Sequence, residues 1–245
     1  MKQWLIETFF QDRKFRLPRV WSNREIARFA PQFTGRVLNA SAWKDEDKEG
    51  RKYCDYFCNA ESYHLSNYLS EARGYQGMPN EFFLDLTVDL PKEHQHAYDC
   101  VFNHTTLEHI YDVHTAFKNL CEMSRDAVII VVPFVQQMHT EYGDYWRFTP
   151  STLERMFKSS GFQPIYTSYN NHLMASVYIL MIAVRDPDSW TSRIQNNLCS
   201  NGKVPFHSKP TITDPFDNFV GCNAIPSFRS GIVAWLRSKG VRSRR

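Results

Sequence analysis

The sequence predicts an α/β fold built on a mostly parallel sheet, and three stretches carry that expectation. Cys100, Val101 and Phe102 form an apolar run that stops abruptly at Asn103. Residues 127–132 form a second, β-branched run, which Pro133 is expected to end. Between them Ala116, Phe117, Leu120 and Met123 recur at helical spacing, so a crossover helix is expected over about residues 112–123. Strand, helix and strand within residues 98–150 make a βαβ unit. His104, His109, His139 and Asp144 then fall just beyond its two strand ends, where a parallel sheet opens into a crevice.

The remaining elements follow in order. Ser22-Asn-Arg-Glu25 is a capping-box pattern, with Ile26, Phe29 and Ala30 on one face, and predicts a helix that starts there. Gly35 to Asn39 reads as the first strand, and Ala-Ser-Ala-Trp-Lys-Asp as the loop leaving it. Residues 44–52 carry charges of both signs, the pattern of a solvated loop. Residues 62–68 and 81–86 are expected as the second and third strands. Thr149-Pro150 opens a helix through Leu153, Met156 and Phe157 that Gly161 stops. Residues 162–169 and 175–184 read as an antiparallel pair, the second apolar enough to be buried on both faces. Prolines and polar residues dominate from Asp186 to about Pro226, as in an irregular appendage.

Composition narrows the function classes. A chain of 245 residues with 42% apolar and 15% aromatic residues can bury one substantial core. A net charge of +3, with no basic stripe interleaved with aromatics, gives no reason to expect a nucleic-acid partner. Six cysteines without a secretory pattern read as free thiols of a reducing compartment, so a cytoplasmic location is expected. Cys54 and Cys58 lack a second pair at zinc spacing and read as inert thiols, and no metal is expected. A metal-dependent hydrolase would recruit His94, His96, His104, His109 and Asp144, yet no compact H-E-x-x-H motif is present.

Taken together, Asp99-Cys-Val-Phe, Leu107-Glu108-His109, Pro133-Phe134, His139 and Asp144-Tyr-Trp-Arg147-Phe-Thr resemble class I S-adenosylmethionine-dependent methyltransferases in order and spacing. More narrowly, they are similar to methyltransferase-domain proteins of bacterial surface-polysaccharide biosynthesis. The resemblance covers about residues 35–185. It implies a Rossmann-like methyltransferase fold: a mostly parallel seven-stranded sheet in the order 3-2-1-4-5-7-6, with one antiparallel strand and helices on both faces. That domain would occupy residues 35–186, after an N-terminal cap with a helix (1–34) and before an irregular appendage with a basic tail (187–245).

The resemblance also implies S-adenosylmethionine as cofactor and a sugar, glycan or phosphate-bearing small molecule as the O-methyl acceptor. Asn39, Ala40, Ser41 and Ala42 match the cofactor loop, with alanines at two positions where glycine is usual and Lys44 at a third. Asn67 stands where an acid usually holds the ribose, Asp85 matches the acid near the adenine amino group, and Asn103 and His104 complete the cofactor set. In-line displacement gains mostly from alignment, and a hydroxyl acceptor gains about 10²- to 10⁴-fold more from a base. His139 is the first candidate for that base, with Asp144 to orient it, and His109 the second. Arg147 either pairs with Asp144 or grips an acidic group on the acceptor. The altered loop and Asn67 leave a second reading, a catalytically inactive methyltransferase-fold binding or scaffold protein.

Residues 227–245 place Ile232, Val233, Trp235 and Leu236 among Arg229, Arg237, Lys239, Arg242, Arg244 and Arg245, with no acid. Such a tail either docks on the domain or makes weak peripheral contact with an anionic membrane, each basic residue there adding about 1 kcal/mol. Membrane contact predicts salt-sensitive co-sedimentation with anionic vesicles that is lost in a chain ending at Pro226. Equal sedimentation of the two folded proteins rejects it.

Overall fold

A computed structural model of the chain describes residues 15–69, 74–139, 143–170, 175–190 and 193. The strands are β1 (Gly35–Ala40), β2 (Ala60–Asn67), β3 (Glu81–Phe83), β4 (Tyr98–His104), β5 (Ser124–Val135), β6 (Gln163–Tyr169) and β7 (Val177–Val184). The helices are α1 (Arg16–Phe29), α2 (Val113–Met123) and α3 (Pro150–Ser159). One seven-stranded sheet runs in the order β3-β2-β1-β4-β5-β7-β6. Among the described strands β7 alone runs against the direction of the others, pairing antiparallel with both β5 and β6; β1, β2, β3, β4 and β5 pair with one another in parallel.

Period-two alternation divides the apolar residues between the sheet's faces. Leu38, Val101, Val128 and Ile130 pack with Phe117 and Leu120 of α2 and Leu153 and Phe157 of α3. Val37, Phe102, Ile129 and Val131 face the other way, toward Ile26 and Phe29 of α1. β5 and β7 contribute to both clusters, so both strands are continuous apolar runs. Side chains cap two helices: Asp112 accepts from the Thr115 amide at 3.3 Å, and Thr149 accepts from the Thr152 amide at 3.1 Å. Gly35 opens β1 with φ of +77°, where a Cβ would lie 2.3 Å from Asp99 Oδ2. Only glycine fits there.

Three expected boundaries are corrected. α1 starts at Arg16 rather than after Ser22, with Pro18 in its first turn, where amides lack helical partners anyway. Ser22 lies mid-helix and bonds the Arg19 carbonyl and His104 instead of capping. β5 continues through Pro133 to Val135, because its pairing with β4 ends at Val131 and a register shift between Pro133 and Val135 accommodates the ring on the β7 side. β3 ends at Phe83, because the Asp85 carboxylate turns the chain by accepting from the amide and hydroxyl of Thr87. Residues 1–14, most of the appendage and the basic tail lie outside the described residues. Among the described residues no helix is long and apolar enough to cross a membrane.

Phe117 is 1% exposed and meets Phe157 edge-on, with centroids 4.8 Å apart. Truncating it in Phe117→Ala should destabilise the fold by about 3–5 kcal/mol in urea unfolding.

Candidate functional site

The carboxyl ends of β2, β1 and β4 surround a crevice of about 620 Å³ at the point where the strand order reverses beside β1. Asn39, Ser41 and Ala42 line it from β1 and its loop, Asn67 from β2, Asp85 from beyond β3 and His104 from β4. Ser41, Trp43, Asp45 and Lys48 all have positive φ, between 49° and 64°. In non-glycine residues that conformation costs roughly 1 kcal/mol or more each, so the loop needs anchors.

Two side chains provide them. Asn67 accepts from the Trp43 amide at 2.7 Å and donates to the Trp43 carbonyl and the Glu81 carboxylate. Asp45, 2% exposed, accepts from Asn39 Nδ2, Tyr63 Oη and the Cys54 amide at 2.8–3.0 Å. The Asn67 amide therefore clamps the loop, and both of its donors are engaged. Among the crevice carboxylates, Asp85 Oδ1 holds Thr87, whereas Oδ2 makes no hydrogen bond among the described residues. Ala40 and Asn103 do not line the crevice. Asn103 Nδ2 donates to the Ala40 carbonyl at 2.9 Å, tying β4 to β1 behind it.

α1 closes the crevice through a ring of hydrogen bonds. Arg19 Nη2 donates to Thr105 Oγ1 at 2.9 Å, and the Ser22 hydroxyl donates to the Arg19 carbonyl at 2.9 Å. With the serine proton committed, His104 Nε2–H donates to Ser22 Oγ at 2.8 Å and Nδ1 accepts from the Thr105 hydroxyl at 3.1 Å. His104 is thus neutral, and burial first, then Arg19, holds its pKa well below the usual imidazole value.

A second chamber of about 500 Å³ shares Arg19, Lys48, Thr105 and His109 with the crevice. Its other walls include Phe15, Arg16 and Val20, Glu108, Gln136 and His139 beyond β4 and β5, and Tyr178 of β7. Here the two motifs of the sequence meet. The Glu108 carbonyl accepts from the amides of Tyr145 and Trp146, and His109 Nδ1–H donates to the Gly143 carbonyl at 2.6 Å. The Glu108 carboxyl is 1% exposed, and burial pushes its pKa up to about 8. Burial likewise lowers that of His109. The rings of His109 and His139 lie perpendicular, 4.8 Å apart.

Asp144 and Arg147 do not line this chamber; they support it. Arg147 grips Asp144 with both terminal nitrogens, at 2.5 and 2.8 Å, and this guanidinium holds the carboxylate down at about 2. Asp144 also accepts from the His139 backbone amide at 3.0 Å. The His139 ring is another matter: Nδ1 lies 3.6 Å from Asp144 Oδ2, beyond hydrogen-bond reach. Asp144 therefore orients the loop rather than the imidazole. The sites brought together are thus Asn39, Ser41, Ala42, Asn67, Asp85 and His104 in one chamber and His109 and His139 at the other. Arg19, Glu108 and Gln136 join them without having been singled out for roles in the sequence. Glu108 stands within Leu-Glu-His, and only its burial marks it. Among the described residues no group of three or more His, Cys, Asp or Glu could hold a metal ion.

No protein-family model matches the chain, and no curated protein matches it. Among solved structures it is similar to magnesium protoporphyrin IX methyltransferase from Synechocystis PCC 6803 with bound SAH, at 13% identity over 69% of this chain and 83% of that one, TM-score 0.48. It is also similar to a methyltransferase-like protein from Bacillus halodurans C-125, at 9% identity over 66% and 97%, TM-score 0.49. A third is the 1,6-didemethyltoxoflavin-N1-methyltransferase of Burkholderia thailandensis, at 15% identity over 67% and 80%, TM-score 0.46. The chain's own sheet order and its antiparallel β7 place the architecture. The fold is the Rossmann-like methyltransferase fold.

The Asp144 side chain is 1% exposed and that of Arg147 26%. Arg147→Ala should cost about 2–4 kcal/mol at neutral pH, less than for a wholly buried pair because the guanidinium reaches solvent. A depressed carboxylate stabilises above its unfolded value of 3.8 and loses that contribution as pH falls toward about 2. Denaturant melts should therefore show a shallower acid-side decline in the variant than in the parent.

Proposed function

We propose that the protein is an S-adenosylmethionine-dependent methyltransferase that O-methylates a sugar, glycan or phosphate-bearing small acceptor in surface-polysaccharide biosynthesis. The observation that carries the transferase reading is the pair of chambers meeting at Arg19, Lys48, Thr105 and His109, at the strand-order reversal where this architecture binds ligands. A transfer reaction needs donor and acceptor side by side, and adjoining chambers supply that juxtaposition. The acceptor class is supported by the sequence resemblance across residues 98–150.

The crevice fits the cofactor in size, within the range of about 300–1,000 Å³ usual for small-molecule sites. Ser41 and Ala42 keep the β1 loop low, and Asp85 Oδ2 stands ready to accept from an adenine amino group. Bound S-adenosylmethionine supplies an activated methyl group on a sulfonium. The chain's part is to hold the loop through Asn67 and Asp45, to close the crevice with α1, and to present Glu108, His109 and His139 on the acceptor side. Asn67 serves the ribose only indirectly, by fixing the loop, because its amide donors are engaged. That same observation favours the second reading, a methyltransferase fold retained for binding or scaffolding without turnover.

Calorimetric titration with S-adenosylmethionine and S-adenosylhomocysteine separates the two. The enzyme reading expects saturable binding of both, weakened at least about tenfold in Ala42→Leu, whose added volume obstructs the crevice. Unchanged affinity in the folded variant would place the cofactor elsewhere, and no binding by the parent would favour the scaffold.

A further inference from the structure

We infer that Glu108 is the proton acceptor for the methyl-accepting hydroxyl, and that Glu108, Gln136 and His139 hold an uncharged, polyhydroxylated acceptor such as a sugar ring. The inference rests on the methyltransferase reading and narrows its acceptor. All three residues line the second chamber. Each carries a buried polar atom with no hydrogen-bond partner among the described residues: Glu108 Oε2, Gln136 Oε1 and His139 Nδ1. A buried polar atom left unpaired costs roughly 1–3 kcal/mol. Three around one chamber form an unsatisfied set that a ligand can complete.

The chemistry of the set selects the ligand. In the reactive state, with Glu108 ionised, its carboxylate oxygen and the Gln136 amide oxygen only accept, and His139 Nδ1 accepts when Nε2 carries the imidazole proton. For Glu108 and Gln136 the missing partners are donors, and neighbouring hydroxyls of a sugar supply them. A phosphate or carboxylate has no donor to offer and would face acceptors. In that state the walls do not select an anion by charge either, since Arg16, Arg19 and Lys48 are matched by Asp47, Glu49 and ionised Glu108.

Glu108 is also suited to move a proton. Desolvation outweighs the nearby guanidinium groups of Arg19 on α1 and Arg147 beyond β5, and Asp144 adds to the rise. His109 at 3.8 Å and Tyr178 on β7 are the other titratable neighbours. A carboxyl at about 8 has far greater proton affinity than an ordinary glutamate, as a base near the working pH requires. Ionised Glu108 takes the hydroxyl proton on Oε2 as the acceptor's own oxygen bonds the methyl carbon. The carbon–sulfur electron pair remains on sulfur, and Glu108 afterwards releases its proton to water.

Glu108→Gln keeps size and shape and tests this with two readouts. In thermal melts the parent's stabilising contribution from protonated Glu108 is complete below the ordinary carboxylate range and lost as pH rises through about 8. The variant lacks that loss and should melt higher than the parent at alkaline pH. In assays with tritium-labelled S-adenosylmethionine, the parent should label methyl glycosides in preference to sugar phosphates. The variant should do so about 10²-fold or more slowly, with unchanged cofactor affinity by calorimetry. A more stable yet slower variant is what a base predicts and a purely structural residue does not. Transfer by the variant within about threefold of the parent overturns the inference. So do parallel melts across pH, or cofactor binding with labelling of sugar phosphates alone or of no glycoside. Absence of cofactor binding by the parent removes the methyltransferase reading itself, and this inference with it.

Discussion

The closed ring Arg19, Thr105, His104, Ser22 and back to the Arg19 carbonyl joins α1 to the end of β4, and the geometry of both chambers depends on it. Each member donates one proton and accepts another, which fixes the tautomer of His104 and keeps it neutral. A charged imidazole in that place would meet the buried guanidinium of Arg19, and burial already disfavours the charge. Arg19 in turn reaches Tyr53 as well as Thr105, so the helix is bound to the β1–β2 connection and to β4 at once. This is how one side chain comes to stand in the wall between the two chambers.

The loop after β1 shows how a turn that is usually built from glycine can be built without it. Left-handed Ser41, Trp43 and Asp45 cost conformational energy, which the Asn67 clamp and the Asp45 hub offset with buried hydrogen bonds. The consequence is functional as well as structural. A side chain that clamps the loop with both amide hydrogens no longer donates to a ligand, so Asn67 acts on the crevice by shaping it.

Beyond β4 and β5, the short helical turn at Glu108 and the 143–149 segment form one unit. Backbone bonds from Tyr145 and Trp146 to the Glu108 carbonyl, and a bond from the His109 imidazole to the Gly143 carbonyl, join them, and the Arg147–Asp144 pair stiffens the result. Asp144 thereby fixes the backbone of His139 while leaving the imidazole unbonded. The same packing removes Glu108 from water and raises its proton affinity, so the support of the loop and the chemistry of the chamber have a common origin.

Much of the architecture was legible in the chain because it follows from short-range physics. The continuous apolar runs of β4, β5 and β7, the helical spacing in α2, and the Thr149-Pro150 start of α3 depend only on neighbours in sequence. Seven strands in the order 3-2-1-4-5-7-6 came from the family resemblance, since pattern alone does not order strands. Boundaries failed where distant partners intervened: Ser22 caps nothing because His104 claims its oxygen, and Pro133 stays in β5 because β4 has already ended.

For the site, residue types and their grouping at strand ends could be read from the sequence, whereas the allocation of each hydrogen bond could not. Asn67 and Trp43, Asp144 and Arg147, or Glu108 and Tyr178 acquire their relations only when separate strands and loops are brought together. Burial and pairing are properties of the assembled environment. The sequence by itself determined which groups stand at the carboxyl edge of the sheet. Only the tertiary structure decided which of them hold the loops and which line the chambers, because a polar group's role depends on the partners and the solvent that folding leaves to it.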